Sequence, residues 1–143
     1  QRVTSASVSI AGTVVGKIQR GFVLLVGITH TDTKAQVEYI AKKVAQMRIF
    51  SDDEGKMNLS LSEVGADVLS ISQFTLYADC KKGNRPSFTK AGNPDLANEL
   101  YEYIVKCCSE QVDIVKTGEF GADMKVSLVN DGPFTIILDS NEL

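Results

Sequence analysis

Three short stretches of the sequence carry polar or irregular residues where strand packing alone would not need them. The first, SISQFTLYAD, runs an apolar segment into Ser72, Gln73 and Thr75. A glutamine on an apolar strand costs free energy unless its amide finds hydrogen-bond partners. Hydroxyl groups near a strand end are more often structural than catalytic, so both interpretations stay open when this stretch is taken alone.

The other two stretches are turns. TGEFGADM places Phe120, Gly121 and Met124 in a tight turn before a strand, and taken alone it is better explained by an ordinary loop than by a function. NDGP places Gly132 and Pro133 at the mouth of the run FTIILD. Proline removes a backbone donor just where strand pairing should begin, which is more than a simple hairpin turn requires.

Several common mechanisms lack their residues. His30 is the only histidine, and no Cys-x-x-Cys pair is present, so a zinc site of the usual composition is not expected. No Gly-x-Ser-x-Gly or Gly-x-Gly-x-x-Gly pattern occurs, and GTVVGK lacks the spacing and the hydroxyl residue of a phosphate-binding loop. If the protein is an enzyme, we expect it to work without a metal, without a nucleotide cofactor and without a histidine base.

The composition is that of one globular domain spanning residues 1–143. The chain is 43% hydrophobic and 23% charged, and no apolar run approaches the roughly 20 residues that a bilayer requires. The three cysteines are an odd number, and Cys107 and Cys108 are adjacent, which favours a reducing compartment, the cytoplasm. Because Gln1 cannot be an initiator residue, we expect a few residues to precede it.

One short window departs from the acidic character of the chain. The net charge is −3, which argues against a protein that coats nucleic acid indiscriminately. The window CKKGNRPSFTK, by contrast, contains four basic residues and no acidic one: Lys81, Lys82, Arg85 and Lys90. On charge alone, solubility explains this loop better than phosphate contacts do.

The periodicity of apolar residues predicts the elements that position these stretches. SASVSIAGTVVGKIQRGFVLLVGI contains three short β-runs, with a hairpin turn at Ala11-Gly12. A helical stripe then follows a capping box at Thr33 and Gln36, and a second helix starts at Asn93 after the strand ADVLSISQF. VDIVKT, MKVSLVN and FTIILD are predicted to close the chain as strands. The resulting order, ββ-βα-βα-βββ, predicts a single α/β domain with helices on one side of a mixed sheet.

Taken together, the unusual stretches are much more specific than any one of them. SQFTLYAD, KKGNRPSF, FGADM and NDGPFTIILD, in this order and spacing, closely resemble the D-aminoacyl-tRNA deacylase (D-tyrosyl-tRNA deacylase) family. QRVTSASVSI and MRIFSDDEGKMNLS extend the resemblance over essentially the whole chain. The sequence departs from the family at its start, where the short apolar lead into Gln-Arg-Val is missing.

The resemblance implies a cytoplasmic homodimer that hydrolyses the ester between a D-amino acid and the 3′ end of tRNA. It also implies activity on glycyl-tRNA, because glycine has no side chain to reject. The implied fold is a three-layer α/β arrangement of mixed β-sheets, in agreement with the predicted order of elements. It implies neither a cofactor nor a membrane.

The resemblance also assigns roles to individual positions. One signature region falls on the catalytic residues Ser72, Gln73, Phe74 and Thr75. The other includes Gly132 and Pro133, a Gly-cis-Pro pair that reaches into the active site of the partner subunit and rejects L-amino acids.

Further roles surround these two regions. Phe120 and Met124 match residues near the terminal adenosine, and Arg2 matches a residue that braces the Gly-Pro loop. A tRNA substrate would give the basic loop a role, because Lys81, Lys82 and Arg85 could contact phosphates of the acceptor end.

An aminoacyl ester is already activated, so a positioned water and donors aimed at the oxyanion would suffice as a catalyst. Backbone N–H groups around Phe74 and Thr75 could be those donors, while Ser72 and Gln73 orient the adenosine. Thr75 is the one side chain placed to act as a nucleophile, but no base stands beside it in the sequence. We therefore prefer Thr75 as a positioning group, with the 2′-hydroxyl of the terminal ribose as a participant.

Two rival functions differ in class. One is an editing domain of the same fold that acts on a mischarged L-amino acid within a synthetase; a chain of this length with its Gly-Pro signature argues against it. The other is a non-catalytic nucleic-acid binding module, which the net negative charge disfavours. Hydrolysis of D-tyrosyl-tRNA separates the enzyme from the binding module.

Overall fold

A mixed β-sheet and two helices account for most of the chain. The computed structural model describes all 143 residues. Its strands are β1 (Arg2–Ile10), β2 (Thr13–Ile18), β3 (Gly21–Val26), β4 (Phe50–Ser51), β5 (Met57–Leu59), β6 (Asp67–Ser72), β7 (Val115–Thr117) and β8 (Lys125–Asn130). The helices are α1 (Lys34–Gln46) and α2 (Pro94–Ser109), with a short 3₁₀ helix at Phe74–Tyr77.

The main sheet has the order β2-β1-β3-β6-β7. β8 lies outside this order and pairs with β1 along the edge opposite β2. β1 is antiparallel to β2, β3 and β8, whereas β3, β6 and β7 run parallel to one another. β1 meets β3 only at the pairs Arg2–Phe22 and Val3–Gly21. Beyond Phe22, the β1-facing edge of β3 is therefore free of a neighbouring strand of the sheet.

Both faces of the central strands are buried. Leu69 and Ile71 of β6 pack inside the curved sheet against residues of β1 and β3. Val68 points to the other face, where α1 and α2 supply the apolar cover. Burial on both sides explains why the successive residues Val68 and Leu69 are both apolar, and why Ser70 is fully buried as well. The α/β class and the placement of both helices on one side of the sheet are confirmed.

The helix starts that the sequence predicts are confirmed at the level of individual hydrogen bonds. The backbone N–H of Thr33 donates to Gln36 Oε1 at 2.8 Å, completing the capping box of α1. Asn93 Oδ1 accepts a hydrogen bond from the Leu96 N–H at 2.9 Å and caps α2. The Ala11-Gly12 hairpin also forms, joining β1 to β2. Neither helix is both long and apolar enough to cross a bilayer.

Two element boundaries differ from the prediction. The strand predicted through Phe74 ends at Ser72, because the chain turns into the 3₁₀ helix. Gln73 and Thr75 therefore do not share a strand face with Ile71. SDDEGK is predicted as loop, but its first residue, Ser51, belongs to β4. The other five residues are loop, as predicted, and connect β4 to β5.

The predicted last strand, FTIILD, does not form. Residues 135–138 make no backbone–backbone hydrogen bond, and Ile137 is 89% exposed. Alternating apolar residues favour a strand, but a strand also needs a hydrogen-bonded neighbour, and residues 135–138 are not hydrogen-bonded to any strand of the chain. We call residues 134–139 the C-terminal segment.

Candidate active site

The carboxyl ends of the parallel strands lie at one edge of the sheet. β6 ends at Ser72, which pairs with Val26 at the end of β3. β7 ends at Thr117, which pairs with Ser70. In sheets of this kind, loops that leave the carboxyl ends of parallel strands form binding crevices. Residues 72–75 and the turn at residues 118–124 leave the sheet side by side at this edge.

Residues 72–75 turn sharply at the end of β6. The Gln73 N–H donates a hydrogen bond to the Val26 carbonyl at 2.8 Å. The 3₁₀ helix follows and ends at a hydrogen bond from the Ala78 N–H to the Thr75 carbonyl, at 3.0 Å. Ser72 and Gln73 are half-buried, whereas Phe74 and Thr75 are exposed. Because the first donors of a helical turn have no acceptor within it, the N–H groups of Phe74 and Thr75 are available at the surface.

The turn at residues 118–124 packs against the same end of β6. The Tyr101 hydroxyl donates to the Ser70 carbonyl at 2.7 Å, and the ring of Phe120 lies 6.3 Å from that of Tyr101, measured between centroids. The Met124 sulfur occupies the space that a side chain at Gly118 would need, next to Ile71. Phe120 and Met124, both half-buried, are thus brought to the edge that carries Ser72.

The loop at residues 130–133 has a conformation that only glycine adopts readily. Gly132 has φ +133°, and an added Cβ would lie 3.2 Å from the Phe134 nitrogen and 3.4 Å from Arg2 Nη2. The peptide bond between Gly132 and Pro133 is cis. Asn130 Oδ1 accepts a hydrogen bond from the Phe134 N–H at 2.8 Å and so closes the loop. Both Gly132 and Pro133 are exposed.

Arg2 contacts this loop from several sides. Its Nε donates to the Asp131 carbonyl at 3.2 Å and lies 3.5 Å from the Asp131 carboxylate. Its Nη1 donates to the Ile49 carbonyl at 2.6 Å, and its guanidinium lies 4.8 Å from the centroid of the Phe134 ring. With a side chain only 14% exposed, Arg2 is a fixed support under the loop rather than a mobile surface cation.

Within one chain, the two signature regions lie at opposite ends of β3. Arg2, beneath the Gly132 loop, pairs with Phe22 near the start of β3, whereas Ser72 pairs with Val26 at its end. Four residues of strand separate these positions, which corresponds to roughly 13 Å at about 3.3 Å per residue. Within one chain, the Gly132 loop and residues 72–75 are therefore anchored near different ends of β3.

A groove runs between these ends. A cavity of about 390 Å³ lies between β3, α1 and the C-terminal segment, and most of its lining is apolar. At the end of the cavity away from Arg2, burial raises the pKa of the Tyr77 hydroxyl, and the nearby carboxylates of Asp32 and Asp139 raise it further. The C-terminal segment thus runs alongside β3 from Arg2 to Tyr77 without pairing with it.

The basic loop is held in place at its base. Asp79 and Ser87 exchange two backbone hydrogen bonds of 2.8 Å, and the Lys81 N–H donates to the Asp79 carboxylate at 2.9 Å. This amide contact is the main cause that lowers the pKa of Asp79. Lys90 forms an ion pair with Asp79 at 3.5 Å. The other three basic side chains are exposed and form no ion pair: Lys81, Lys82 and Arg85.

Two residues near this edge, Phe88 and Tyr101, are not predicted from the sequence as part of the site. Phe88 stands on the basic loop, with its ring centroid 5.1 Å from that of Phe74. Tyr101 is buried on α2, four residues after Ala97, so the helical stripe could have predicted its burial but not its hydrogen bond. No group of three or more His, Cys, Asp or Glu side chains is arranged to hold a metal ion.

Comparison with known proteins gives one family. The model of the D-Tyr-tRNA(Tyr) deacylase family matches residues 1–139. A D-aminoacyl-tRNA deacylase from Exiguobacterium sibiricum is 57% identical over 139 residues, which cover 97% of this chain and 96% of the relative. Another from Thermosipho africanus is 50% identical over 143 residues, covering 100% of this chain and 96% of that protein.

Solved structures agree with the fold. A c-Myc DNA unwinding element binding protein superposes with a TM-score of 0.92 at 37% identity, covering 97% of this chain and 95% of the other. A probable eukaryotic D-amino acid tRNA deacylase superposes with a TM-score of 0.80, covering 92% of each chain, and at 16% identity it shows the fold alone. From the match over residues 1–139 and the two full-length relatives, we conclude that the chain belongs to the D-Tyr-tRNA(Tyr) deacylase family.

Proposed function

We propose that the protein hydrolyses the ester bond of D-aminoacyl-tRNA and releases the free D-amino acid and tRNA. The observation that carries this proposal is the turn at residues 72–75. It presents two half-buried polar side chains and two free backbone donors at the carboxyl edge of the sheet. Family membership over nearly the whole chain supports the same reaction.

In this mechanism, the turn at residues 72–75 binds the reacting end of the substrate. Ser72 and Gln73 orient the terminal adenosine, and the N–H groups of Phe74 and Thr75 stabilise the oxyanion that develops as water attacks the ester carbonyl. Preorganised donors of this kind lower the barrier because charge develops directly in front of them. Since the ester is activated, this stabilisation and a positioned water are enough.

Thr75 serves as a positioning group in this proposal. Its hydroxyl is exposed and has no hydrogen bond to a histidine or a carboxylate that could remove its proton. The only histidine, His30, contacts the Thr89 carbonyl at 2.8 Å instead. A serine- or threonine-type nucleophile needs an adjacent base, so water is the attacking group in this proposal. The water passes its proton to the 2′-hydroxyl oxygen of the substrate, which in turn gives its own proton to the departing 3′-oxygen.

The neighbouring elements fit the rest of the tRNA end. Phe120 and Met124 supply half-buried apolar surface for the terminal adenosine, next to the end of β6. The unpaired cations of the basic loop extend from the same edge and suit phosphates of the acceptor strand. Only the tip of the tRNA needs to enter, which reconciles this substrate with a net charge of −3.

We further propose that Gly132 and Pro133 complete the active site of the partner subunit in a homodimer. Two features support this. The exposed Gly-Pro loop lies at the opposite end of β3 from residues 72–75 of its own chain. Residues 135–138 of the C-terminal segment are mostly apolar and make no backbone–backbone hydrogen bond, and backbone groups left free in this way can pair with another chain.

The braced loop would select chirality by exclusion. Hydrogen bonds of Arg2 and Asn130 hold the loop. In this proposal, the main chain at Gly132 and Pro133 forms a rigid wall that faces the substrate's α-carbon. An L side chain would have to occupy that wall, a D side chain would point away from it, and glycine has no side chain. A rigid clash penalises the wrong substrate directly, which added contacts to the right one cannot do. Glycyl-tRNA is therefore a substrate in this proposal.

The substrate also places the protein in the cytoplasm in this proposal, where tRNA is charged. Three free cysteines, of which Cys108 is buried, suit a reducing compartment.

Binding to duplex DNA is the second candidate, because the solved structure with the TM-score of 0.92 is named for DNA binding. The acidic chain and its single short basic loop argue against a surface that tracks a duplex. Binding of a plain DNA duplex with a steep salt dependence, in a protein that leaves D-tyrosyl-tRNA intact, would favour this candidate.

The experiment that tests the proposal compares matched D- and L-tyrosyl-tRNA and glycyl-tRNA, following release of the amino acid. We expect hydrolysis of the D-tyrosyl and glycyl esters and at most slow hydrolysis of the L ester. Equal rates on D- and L-tyrosyl-tRNA would contradict chiral selection, and no hydrolysis of any ester would contradict the enzyme.

A further inference from the structure

We infer that Phe74 and Phe88 form a stacking platform for the unpaired nucleotide that precedes the terminal adenosine of the tRNA. The inference rests on the proposed function and extends it from the ester to the next unit of the substrate. Its basis is the position, exposure and packing of the two rings.

The two rings contact each other but are not a buried core pair. Their centroids are 5.1 Å apart, and their planes meet at 76°, an edge-to-face arrangement. Phe74 is 57% exposed, and Phe88 is only partly buried. Phe74, Phe88 and the exposed Leu76 form apolar surface beside polar residues, and a patch of that kind marks a binding surface.

The platform lies between the reacting end of the site and the cations. Phe74 stands between Gln73 and Thr75 in the chain, within the turn that holds the ester. Phe88 belongs to the loop that carries the exposed, unpaired cations Lys81, Lys82 and Arg85. A strand that leaves the site toward these cations passes over the two rings.

Aromatic faces beside cations are the chemistry of single-stranded nucleic-acid binding. Every base has a π-face, so stacking tolerates any sequence, while cations track the phosphates. The 3′ end of tRNA is single-stranded, and Phe120 and Met124 are already assigned to its terminal adenosine. The nucleotide before it is therefore the unit that the platform receives.

The position of Phe88 does not depend on its ring alone, which makes the inference testable. Before it, Ser87 is fixed by two backbone hydrogen bonds to Asp79. After it, the Thr89 carbonyl contacts His30 Nε2 at 2.8 Å, and the Lys90 carbonyl accepts from the Thr29 hydroxyl at 2.5 Å. Replacing the ring by another apolar side chain should leave the loop and its cations where they are.

The test compares Phe88→Leu with the aromatic control Phe88→Tyr. Each variant is assayed on D-tyrosyl-tRNA and on a minimal substrate, the D-tyrosyl ester of adenosine, which lacks the preceding nucleotide. The salt dependence of tRNA binding and the subunit association of each variant are measured as well. If wild-type protein hydrolyses neither ester, the proposed function itself is overturned. If it hydrolyses both, the comparison of the variants tests the platform alone.

We expect Phe88→Leu to raise KM for D-tyrosyl-tRNA roughly fivefold or more, the effect of one lost stacking contact. Its KM for the adenosine ester and its salt slope should stay near the wild-type values, and Phe88→Tyr should keep the wild-type KM on both substrates. An equal rise on both esters, or an unchanged KM on tRNA, would overturn the inference. A flattened salt slope would show instead that Phe88 only holds the basic loop in place. Weaker subunit association would show that the two rings belong to a contact between subunits. Either result would overturn the inference.

Discussion

Arg2 and Ser72 lie at opposite ends of the same strand: Arg2 pairs with Phe22 near the start of β3, and Ser72 pairs with Val26 at its end. Arg2 supports the Gly132 loop, whereas Ser72 opens the catalytic turn. The two halves of the proposed site are thus held apart in one chain by the length of β3. Three of the five predictions below depend on one or both halves.

The first prediction concerns Gly132. Gly132→Val places a branched side chain at φ +133°, with its Cβ against the Phe134 nitrogen and Arg2. A backbone conformation of this kind costs a non-glycine residue about 1–3 kcal/mol, so the loop should shift. We expect kcat/KM for D-tyrosyl-tRNA to fall by at least tenfold and rejection of the L ester to weaken.

The control for this change is Phe134→Leu, which keeps an apolar side chain beside Arg2 and leaves the main chain at Gly132 untouched. Its effect on kcat/KM should be clearly smaller. An equal effect of the two substitutions would mean that side-chain packing, and not the main-chain shape of the loop, governs the site.

The second prediction concerns the basic loop. Changing Lys81, Lys82 and Arg85 together to Ala should weaken tRNA binding and flatten its dependence on salt. The reason is that binding releases fewer counterions when fewer phosphates are contacted. Lys90→Ala is the matched control, since Lys90 is already paired with Asp79. If the triple variant keeps the wild-type salt slope, the loop serves solubility.

A third prediction separates the two roles of Thr75. Thr75→Val keeps the shape of the side chain and the backbone N–H while removing the hydroxyl. If Thr75 only positions water or substrate, activity should fall by no more than one lost hydrogen bond, about 1–3 kcal/mol, and a measurable fraction should remain. Complete loss of activity, with an acyl-enzyme trapped in the wild-type protein, would make Thr75 the nucleophile.

Metal dependence gives the fourth prediction. Since no cluster of metal-binding side chains is assembled, we expect hydrolysis of D-tyrosyl-tRNA to survive treatment with EDTA. The measurement is the rate before and after chelation, with wild-type protein in metal-free buffer. Activity that EDTA abolishes and zinc restores would contradict the mechanism.

The helices follow from local sequence. Thr33 with Gln36 and Asn93 with Pro94 predict where α1 and α2 begin, because a helix start depends on hydrogen bonds within four residues. The end of β6 was predicted too late, since the turn at Gln73 depends on a distant partner, the Val26 carbonyl.

The C-terminal segment shows the limit of local patterns. Phe134, Ile136 and Leu138 alternate as in a strand, yet pairing requires a neighbour that a single chain does not supply. For the site, individual residues could be assigned through the family resemblance. The contact of Phe88 with Phe74 and the hydrogen bond of Tyr101 to Ser70 have no local signature, because they depend on loop and helix packing.

The fifth prediction, that the active site is shared between two subunits, is tested most directly by mixing two strongly impaired variants. One chain carries Gln73→Ala and Thr75→Val together, and the other carries Gly132→Val. In a mixed dimer with two-fold symmetry, one site combines both defects and the other has wild-type residues 72–75 and a wild-type Gly-Pro loop. We expect co-expression in equal amounts to restore about a quarter of the wild-type activity on D-tyrosyl-tRNA. If the mixture is no more active than the two variants assayed separately, each site is built within one chain and the account is wrong.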